Sequence, residues 1–439
     1  MSTILDLPDV CLVRICRKLA GDERMFHWVN VCRRFRNIYY EYFHNWNEVN
    51  DDLVENFGHL IGTADFPLRT VKRIQLSKSK CTIEFLKKLR KFHKEIEEAK
   101  LFSFTDEYLA ELLPLPSLKL LICIGTYNLR GRSLIDLSSL EELHIHTNKY
   151  FDAENLLQIT HYNPLRKLVI PNDPQIFANR YAYEMVENLK ELVELVVEYN
   201  PCRSWQLIGK LPKLRKLEIW DFVSHECETC LADGNCYATC FSQHAKLFFE
   251  DLRQQNQLQE LTFCDGCVGD YHIPKIAELT SLKSLRFIRA SLPPLSLDVF
   301  QTLNNLEELY IDGAERIYAE ESLEFIRKCF SLKKVTFWRV QGVTVSFVEK
   351  SNEILRQRKP PPTEHLVFGF APFVRFPAQL SKPKDFLIDL VLVQRKFVAA
   401  EEEHLKNEED FVSQTQVQGE SLKRKFSIMN MEASPRWKI

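Results

Sequence analysis

The sequence predicts an α/β solenoid, and three features of its pattern carry that prediction. A unit of apolar-x-x-apolar-x-apolar recurs along most of the chain, mostly at spacings of 22 to 27 residues. Helical patterns such as TIEFLKKLRKF and AENLLQITHY lie between the copies. Glycine is scarce, with 13 residues in 439, which disfavours an α/β fold built on Gly-rich turns. One strand and one helix cannot bury an apolar face alone, so stacked copies must share one core.

The repeat unit gives each copy one short strand. In chain order the copies are VKRIQL (71–76), IEEAKL (96–101), LKLLIC (118–123), LEELHI (140–145), LRKLVI (165–170), LVELVV (192–197), LRKLEI (214–219), LQELTF (258–263), LKSLRF (282–287), LEELYI (306–311), LKKVTF (332–337) and TEHLVF (363–368). Period and unit resemble leucine-rich repeats. The resemblance implies a curved array of about 11–12 strand–helix units over residues 68–371, with the strands lining the concave side.

The first 45 residues predict a separate unit of three short helices. The first helix begins near Pro8 and carries Leu12, Ile15 and Leu19 on one face. The third carries Phe35 on its apolar side. About 40 residues enclose too little interior to bury all of these side chains, so part of the apolar face must meet something else.

This N-terminal stretch resembles an F-box. The residues that carry the resemblance are Leu7, Pro8, Leu12, Ile15, Leu19, Val31 and Phe35. In that family these positions dock on the Skp-type adaptor, and through it the cullin, of a Skp–cullin–F-box ubiquitin ligase. The resemblance therefore implies a three-helix F-box over 1–45 that binds the adaptor. The alternative is a helical cap on the repeat array.

The remaining segments fall outside the repeat. We expect a linker helix over 46–67, a C-terminal cap over 372–399 with a helix at 386–398, and a disordered tail over 400–439. The tail contains the basic cluster Lys423-Arg424-Lys425, which is either an import signal or solvated charge.

Composition narrows the class of protein. A net charge of −2 and a pI near 6.7 give no bulk attraction to nucleic acid or to an acidic membrane. We expect neither as a partner. The thirteen cysteines are an odd number, and no basic-then-apolar leader opens the chain. Both observations favour reduced thiols in the cytoplasm and/or the nucleus.

Catalytic motifs are not evident. The sequence has no phosphate-binding Gly-rich loop, no serine between paired glycines and no HExxH pair. We therefore expect a binding protein rather than an enzyme, with no required cofactor. Receptors of the F-box type with leucine-rich repeats bind substrates, while other subunits perform the chemistry.

The late strands predict a protein-binding surface. Side chains on either side of the inward apolar positions project from the concave face. The residues that we predict to bind a target are Trp220, Arg286, Glu308, Tyr310 and Trp338. Tyr, Trp and Arg dominate binding energy at many interfaces. The alternative is that these rings pack over neighbouring rungs or under the C-terminal segment. Earlier on this face, His144 and His146 beside Glu142 suggest an exposed polar patch rather than a metal or pH site.

A Cys-rich insertion over 221–240 interrupts the repeat and predicts a zinc site. Two Cys-x-x-Cys pairs can complete a tetrahedral site. The preferred ligands are Cys227, Cys230, Cys264 and Cys267, and the second choices are Cys236 and Cys240. The strand ends that precede the two pairs are neighbours in a solenoid. The alternatives are a mobile loop of reduced cysteines and a redox-active pair.

Three functions remain open at this point. The first is the substrate-recognition subunit of the ligase, which directs target proteins to ubiquitin conjugation and proteasomal degradation. The second is an interaction scaffold that uses the repeats without the ligase. The third is a zinc- or redox-responsive sensor centred on the Cys-rich edge.

Overall fold

A computed structural model describes residues 4–19, 31–42, 48–57, 71–126, 128–146, 150–200, 202–223, 238–314, 316–318, 320–358, 366–370 and 388–392. Their main feature is one parallel sheet whose fourteen strands follow each other in chain order. The strands are β1 (Glu48–Asn50), β2 (Arg73–Ser77), β3 (Glu98–Phe102), β4 (Leu120–Ile124), β5 (Glu142–Ile145), β6 (Lys167–Ile170), β7 (Glu194–Glu198), β8 (Lys216–Val223), β9 (Glu260–Cys267), β10 (Ser284–Ile288), β11 (Glu308–Asp312), β12 (Lys334–Trp338), β13 (Leu366–Phe370) and β14 (Ile388–Leu392).

Helices connect most of the strands and cover one face of the sheet. The α-helices are α1 (Asp9–Leu19), α2 (Arg33–Tyr42), α3 (Asp51–Phe57), α4 (Ile83–Phe92), α5 (Asp106–Leu112), α6 (Ala153–Tyr162), α7 (Ala182–Asn188), α8 (Ala238–Gln255), α9 (His272–Ala277), α10 (Leu323–Lys328) and α11 (Val345–Gln357). Short 3-10 helices lie at Ile4–Asp6, Lys78–Lys80, Arg132–Leu134, Arg203–Lys210 and Leu297–Thr302. None of the described helices is both long and apolar enough to cross a bilayer.

The predicted solenoid is confirmed. Every repeat unit from 71–76 to 363–368 coincides with one strand, β2 to β13. The last two apolar positions of each unit point into the core, as Leu143 and Ile145 do on β5, both with 0 % exposure. A single apolar cluster runs from Val49 to Phe368. Because each rung shares its core with the next, the strand–helix unit is stable only in the stack.

Phenylalanines fill the core of the late rungs. Phe222 lies 4.5 Å from the ring of Tyr199 and 5.2 Å from that of Phe263. Phe263 in turn stacks on Phe287 at 5.6 Å, with the two rings 8° from parallel. Ring pairs in this range add to the apolar area that they bury.

The sheet begins earlier than the boundary predicted at residue 68. The segment 46–67, predicted as a linker helix, contains the strand β1, which pairs with β2 and places Val49 opposite Ile74. Helix α3 follows, and its Asp51 carboxylate accepts a hydrogen bond from the Ser77 backbone N–H at 2.7 Å. Residues 48–57 therefore form the first rung, whose strand pairs with the edge of β2.

The sheet also continues further than predicted. We expected a helix at 386–398 within a C-terminal cap, but residues 388–392 form β14, which pairs in parallel with β13. The stretch IDLVL is rich in aliphatic residues and pairs as the repeat strands do, which explains a strand in place of a helix. The predicted tail over 400–439 lies outside the described residues.

Left-handed residues follow several strands directly, and in the longer strands β8 and β9 they lie within the strand. These residues are Ser103 (φ 59°), Gly125 (φ 67°), Asp221 (φ 50°), Asp265 (φ 60°), Arg289 (φ 53°), Gly313 (φ 106°) and Arg339 (φ 50°). Left-handed backbone costs a non-glycine residue about 1–2 kcal/mol. Contacts between rungs offset this cost, as in the two 2.8 Å hydrogen bonds that Arg289 donates to the Asp265 carboxylate.

The N-terminal helices form a small core of their own. Leu12, Val13, Phe35 and Ile38 are buried together between α1 and α2. Arg34 joins the two helices, because its Nη2 donates to the Leu7 carbonyl at 2.7 Å and to the Asp9 carboxylate at 2.6 Å. This cluster is distinct from the solenoid core in the part of the chain that the structure describes. The predicted middle helix of the F-box lies outside that part.

Candidate protein-binding face

The sheet face opposite the helices, here called the open face, presents rows of side chains. The first row is Arg73, Glu98, Leu120, Glu142, Lys167, Glu194, Lys216, Glu260, Ser284, Glu308 and Lys334. The second row is Gln75, Lys100, Ile122, His144, Val169, Val196, Glu218, Thr262, Arg286, Tyr310 and Thr336. The third includes Phe102 and Ile124 early and Glu198, Trp220, Cys264, Ile288, Asp312 and Trp338 late.

Charges in the first row largely compensate one another. Lys167 pairs with Glu194 at 2.8 Å, and Lys216 pairs with Glu260 at the same distance. The hydrogen bond to Glu260 raises the pKa of Lys216. Pairs this close to solvent add little to stability. Their effect is that the first row carries little net charge where these pairs lie.

Glu308, one of the predicted target-binding residues, belongs to this compensated row. Lys334 pairs with its carboxylate at 3.0 Å, and Ser284 donates to the same carboxylate at 3.5 Å. A partner would have to compete with Lys334 for this charge.

Two of the predicted aromatic residues have little accessible area. Tyr310 is 9 % exposed and Trp338 is 8 % exposed. The guanidinium of Arg286 lies over the Tyr310 ring, 5.5 Å from its centroid, in a cation–π contact. This is the packing against neighbouring rungs that the alternative interpretation expected for the rings.

Trp220 remains half-buried, and its orientation is set by a hydrogen bond. Its indole Nε1 donates to Glu218 Oε1 at 2.6 Å. Cys264, opposite Trp220 on β9, donates from Sγ to the same oxygen at 3.5 Å. The strand period places both Glu218 and Cys264 on this face, but neither was among the predicted target-binding residues.

His144 corrects the expectation of an exposed polar patch. Its side chain is only 14 % exposed, and its Nε2 lies 3.5 Å from Glu142 Oε2. Its ring lies edge-on to His146, with 6.2 Å between centroids. Burial, with Lys167 and His146 adding to it, lowers the pKa of His144 to about 4.

This pKa predicts an acid-sensitive contribution to stability. Between pH 6.5 and 4 the unfolded chain binds a proton on His144 that the folded chain does not bind. The contribution is therefore fully present above pH 6.5 and is lost as the pH falls towards 4. About 3 kcal/mol is at stake. We expect urea titrations to show a smaller loss of stability between pH 7 and 4.5 for His144→Gln than for wild type. The control is His161→Gln, an exposed residue of α6, which is expected to keep the wild-type pH dependence.

Two of the predicted zinc ligands, Cys264 and Cys267, lie among the described residues. β8 and β9 continue past their predicted ends, so the insertion leaves the sheet after Val223 rather than at residue 221, and Cys264 and Cys267 belong to β9. The reason is Phe222, which is fully buried and anchors the strand end in the core. Val223 pairs with Cys267, so the insertion departs beside that cysteine.

Of the six candidate zinc ligands, only Cys264 and Cys267 have side chains that the structure describes. Cys264 is 4 % exposed and bonded to Glu218, and burial together with that carboxylate raises the pKa of its thiol far above the usual range. Zinc binds the thiolate, which this environment disfavours. No group of three or more metal-binding side chains occurs among the residues described. Cys227, Cys230 and Cys236 lie outside them, and Cys240 lies in α8. Zinc stays a prediction.

The predicted adaptor-binding residues divide into an interior and a surface set. Leu12 and Phe35 are 0 % and 2 % exposed, and they hold α1 against α2. Leu7 and Ile15 are half-buried, whereas Pro8 is exposed. Val31 is 60 % exposed.

Leu19 lies at the end of α1. The division follows from packing. Two amphipathic helices use their most apolar positions for each other, so a partner can reach only what remains at the edge of that contact.

Comparisons with known proteins give similarity in fold. No protein-family model matches the chain, and no curated protein matches it. An internalin of Listeria monocytogenes is 17 % identical with a TM-score of 0.41, over 69 % of this chain and 73 % of that one. A leucine-rich-repeat protein of Leptospira interrogans is 15 % identical with a TM-score of 0.39, over the same shares.

A third solved structure covers more of the chain. One chain of the yeast Rad7 and Elc1 complex is 17 % identical to this chain with a TM-score of 0.37, and the match covers 90 % of this chain and 97 % of that one. At such identities and TM-scores the likeness does not extend to partners or activity. The chain is thus an α/β solenoid, similar in fold to leucine-rich-repeat proteins, with one long open sheet face.

Proposed function

We propose that this chain is the substrate-recognition subunit of a Skp–cullin–F-box ubiquitin ligase. The observation that supports it best is that the described residues form two separate apolar clusters, one between α1 and α2 and one along the solenoid. A receptor needs two independent surfaces, one for the adaptor and one for the target. A helical cap would instead share its core with the first rung, and β1 with α3 already occupies that place.

The adaptor surface is proposed to lie at the edge of the α1–α2 contact. Pro8 and Val31 are exposed there, and Val10 beside Pro8 is 65 % exposed. Arg34 connects the Leu7 carbonyl to α2, so the turn at Pro8 is held close to the second helix. Exposed apolar side chains grouped on a unit this small suit a protein contact.

In this proposal the chain itself performs no chemistry. The open face holds a target protein at a fixed offset from the subunit that carries reactive ubiquitin. Rate enhancement then comes from proximity, because tethering raises the effective concentration of the target's amino groups. No cofactor is required for this role, and the site of action is the cytoplasm and/or the nucleus.

The test is the variant Val31→Glu, assayed by co-purification with a Skp-type adaptor. We expect at least a tenfold loss of co-purified adaptor, because a charge in place of an exposed valine is not tolerated in an apolar contact. Folding should persist, because Val31 is not part of the small core. Leu12 is unsuitable for this purpose, since its replacement would unfold the unit.

The matched control is Asn37→Glu, which adds the same charge at an exposed position of α2. It is expected to retain the adaptor. If Val31→Glu retains the adaptor as well, this surface is not used. If wild type recruits no adaptor at all while still binding proteins through the open face, the chain is an interaction scaffold and the ligase role is lost.

A further inference from the structure

Glu218 is a half-buried carboxylate in the middle of the open face. Its Oε1 accepts hydrogen bonds from Trp220 Nε1 and from Cys264 Sγ. Both bonds end on the same oxygen, and no described residue donates to Oε2. One half of the carboxylate therefore stays available to a ligand.

Glu218 also differs from the neighbouring glutamates of the first row, because their charges are compensated by lysines. Glu194, Glu260 and Glu308 each have a lysine within 3.0 Å. Glu218 has no cation within ion-pair distance in the part of the chain described. Partial burial of a carboxylate without a cation is unfavourable, and a cation brought by a ligand would relieve that cost.

Trp220 completes a receptor for such a cation. Its N–H is already bound to Glu218, and the residue is half-buried, so a ligand can contact the part of the indole that is still exposed. An indole face attracts an ammonium or guanidinium group. Glu198 lies opposite Trp220 in the register of β7 and β8, so a second acidic residue is next to Trp220 on this face. We call Glu198, Glu218 and Trp220 the acidic–aromatic site.

The second and third rows, which contain Glu218 and Trp220, become apolar towards the start of the array. On β4 the side chains Leu120, Ile122 and Ile124 all lie on the open face and are half-buried, as is Phe102 on β3. Ile122 belongs to the second row with Glu218, and Ile124 to the third row with Trp220. Four strand spacings separate β4 from β8, about 19 Å.

We propose that the open face binds a segment of a partner protein that carries both features. A lysine or arginine side chain occupies the acidic–aromatic site, and apolar side chains contact the β4 patch. The 19 Å distance corresponds to about 13 residues of a helix or about six of an extended chain. The proposal rests on the proposed function only in taking the open face as the target-binding face, and it names the class of target: basic and apolar.

A library of random 16-residue peptides displayed on phage, selected on the full chain, tests this. We expect selected peptides to be enriched at least fivefold in Lys or Arg, together with apolar residues at a fixed offset. For the best peptide, labelled with fluorescein, anisotropy should show about tenfold weaker binding to Glu218→Gln at 150 mM salt. Glutamine keeps an oxygen for the Trp220 N–H, so folding is unaffected. Ile122→Ser should weaken the same peptide.

The matched control is Glu187→Gln, an exposed residue of α7 on the opposite side, which should bind like wild type. Equal binding to Glu218→Gln and wild type, or selection of acidic or uncharged peptides, overturns the proposal. The chain's own basic cluster is another possible occupant. If reversing the charges of Lys423, Arg424 and Lys425 tightens peptide binding, the tail occupies the site and the assignment to a partner fails. Adaptor co-purification is a separate readout, so loss of the ligase role leaves this result intact.

Discussion

Gly342→Ala is expected to lower the free energy of unfolding by about 3–5 kcal/mol. Gly342 lies in the loop after β12 with φ +91°, and a Cβ there would overlap the carbonyl oxygen of Ile317 on the previous rung. The backbone cannot shift easily, because the neighbouring Gln341 carbonyl accepts a 2.8 Å hydrogen bond from the Ile317 N–H. Backbone strain and steric overlap therefore add. Urea titrations followed by circular dichroism measure the effect.

Gly125→Ala separates these two causes. Its φ is +67°, but the nearest atom to a Cβ is Ser103 Oγ at 3.3 Å, the end of a small side chain. Only the cost of left-handed backbone for a residue with a Cβ remains, so we expect the free energy of unfolding to fall by about 1 kcal/mol. If both alanine variants lose the same stability, the close approach to Ile317 does not constrain the fold.

Asn163→Ala is expected to cost about 3–4 kcal/mol. Asn163 is 4 % exposed and follows α6. Its Oδ1 accepts from the Leu140 N–H at 2.8 Å, and its Nδ2 donates to the carbonyls of Leu137 at 2.7 Å and Ile159 at 2.9 Å. Alanine removes all three bonds and leaves buried backbone groups without this partner, which is more costly than losing an exposed bond.

The comparison variants are Asn163→Asp and Asn155→Ala. Aspartate keeps the acceptor for Leu140 but cannot donate, so an intermediate loss is expected. Asn155 lies in α6, is only half-buried and makes one solvent-exposed bond, to the Arg130 carbonyl at 3.0 Å. Its replacement should change stability by less than about 1 kcal/mol. In thermal unfolding we expect stability to fall in the order wild type, Asn155→Ala, Asn163→Asp, Asn163→Ala. A cost for Asn155→Ala equal to that for Asn163→Ala would contradict the account.

The repeat unit predicts the interior of the array but not its ends. Two apolar positions in alternation are enough to locate each strand from β2 to β13, because each must face the shared core. β1 has only three residues, of which Val49 alone is buried. β14 lies 20 residues beyond the last copy of the unit, and its apolar pattern also fits a helix. At both ends the pairing partner decides the structure, and short apolar runs do not reveal it.

The binding face was likewise predictable from the sequence only in part. Strand alternation correctly placed Trp220, Arg286, Tyr310 and Trp338 on the open face. It could not show that Tyr310 and Trp338 are nearly covered, because burial depends on contacts between rungs. In the N-terminal helices, periodicity identified an apolar face but not what that face packs against. It therefore could not show that Leu12 and Phe35 are buried in one cluster. Strand alternation also places Glu218 on the open face, but it does not identify Glu218 as a binding residue, because that depends on the hydrogen bonds to Trp220 and Cys264.

The strict chain order of the fourteen strands has a mechanical consequence. Among the described residues each strand is hydrogen-bonded only to the strands before and after it, so no strand pairing there joins the two ends of the sheet. A rung is thus coupled to distant rungs only through those between. Damage at one rung, such as a methyl group at Gly342, should loosen its immediate neighbours and fade with distance. Two surfaces on one chain, at the helices before β1 and along the middle of the sheet, can therefore change independently of each other.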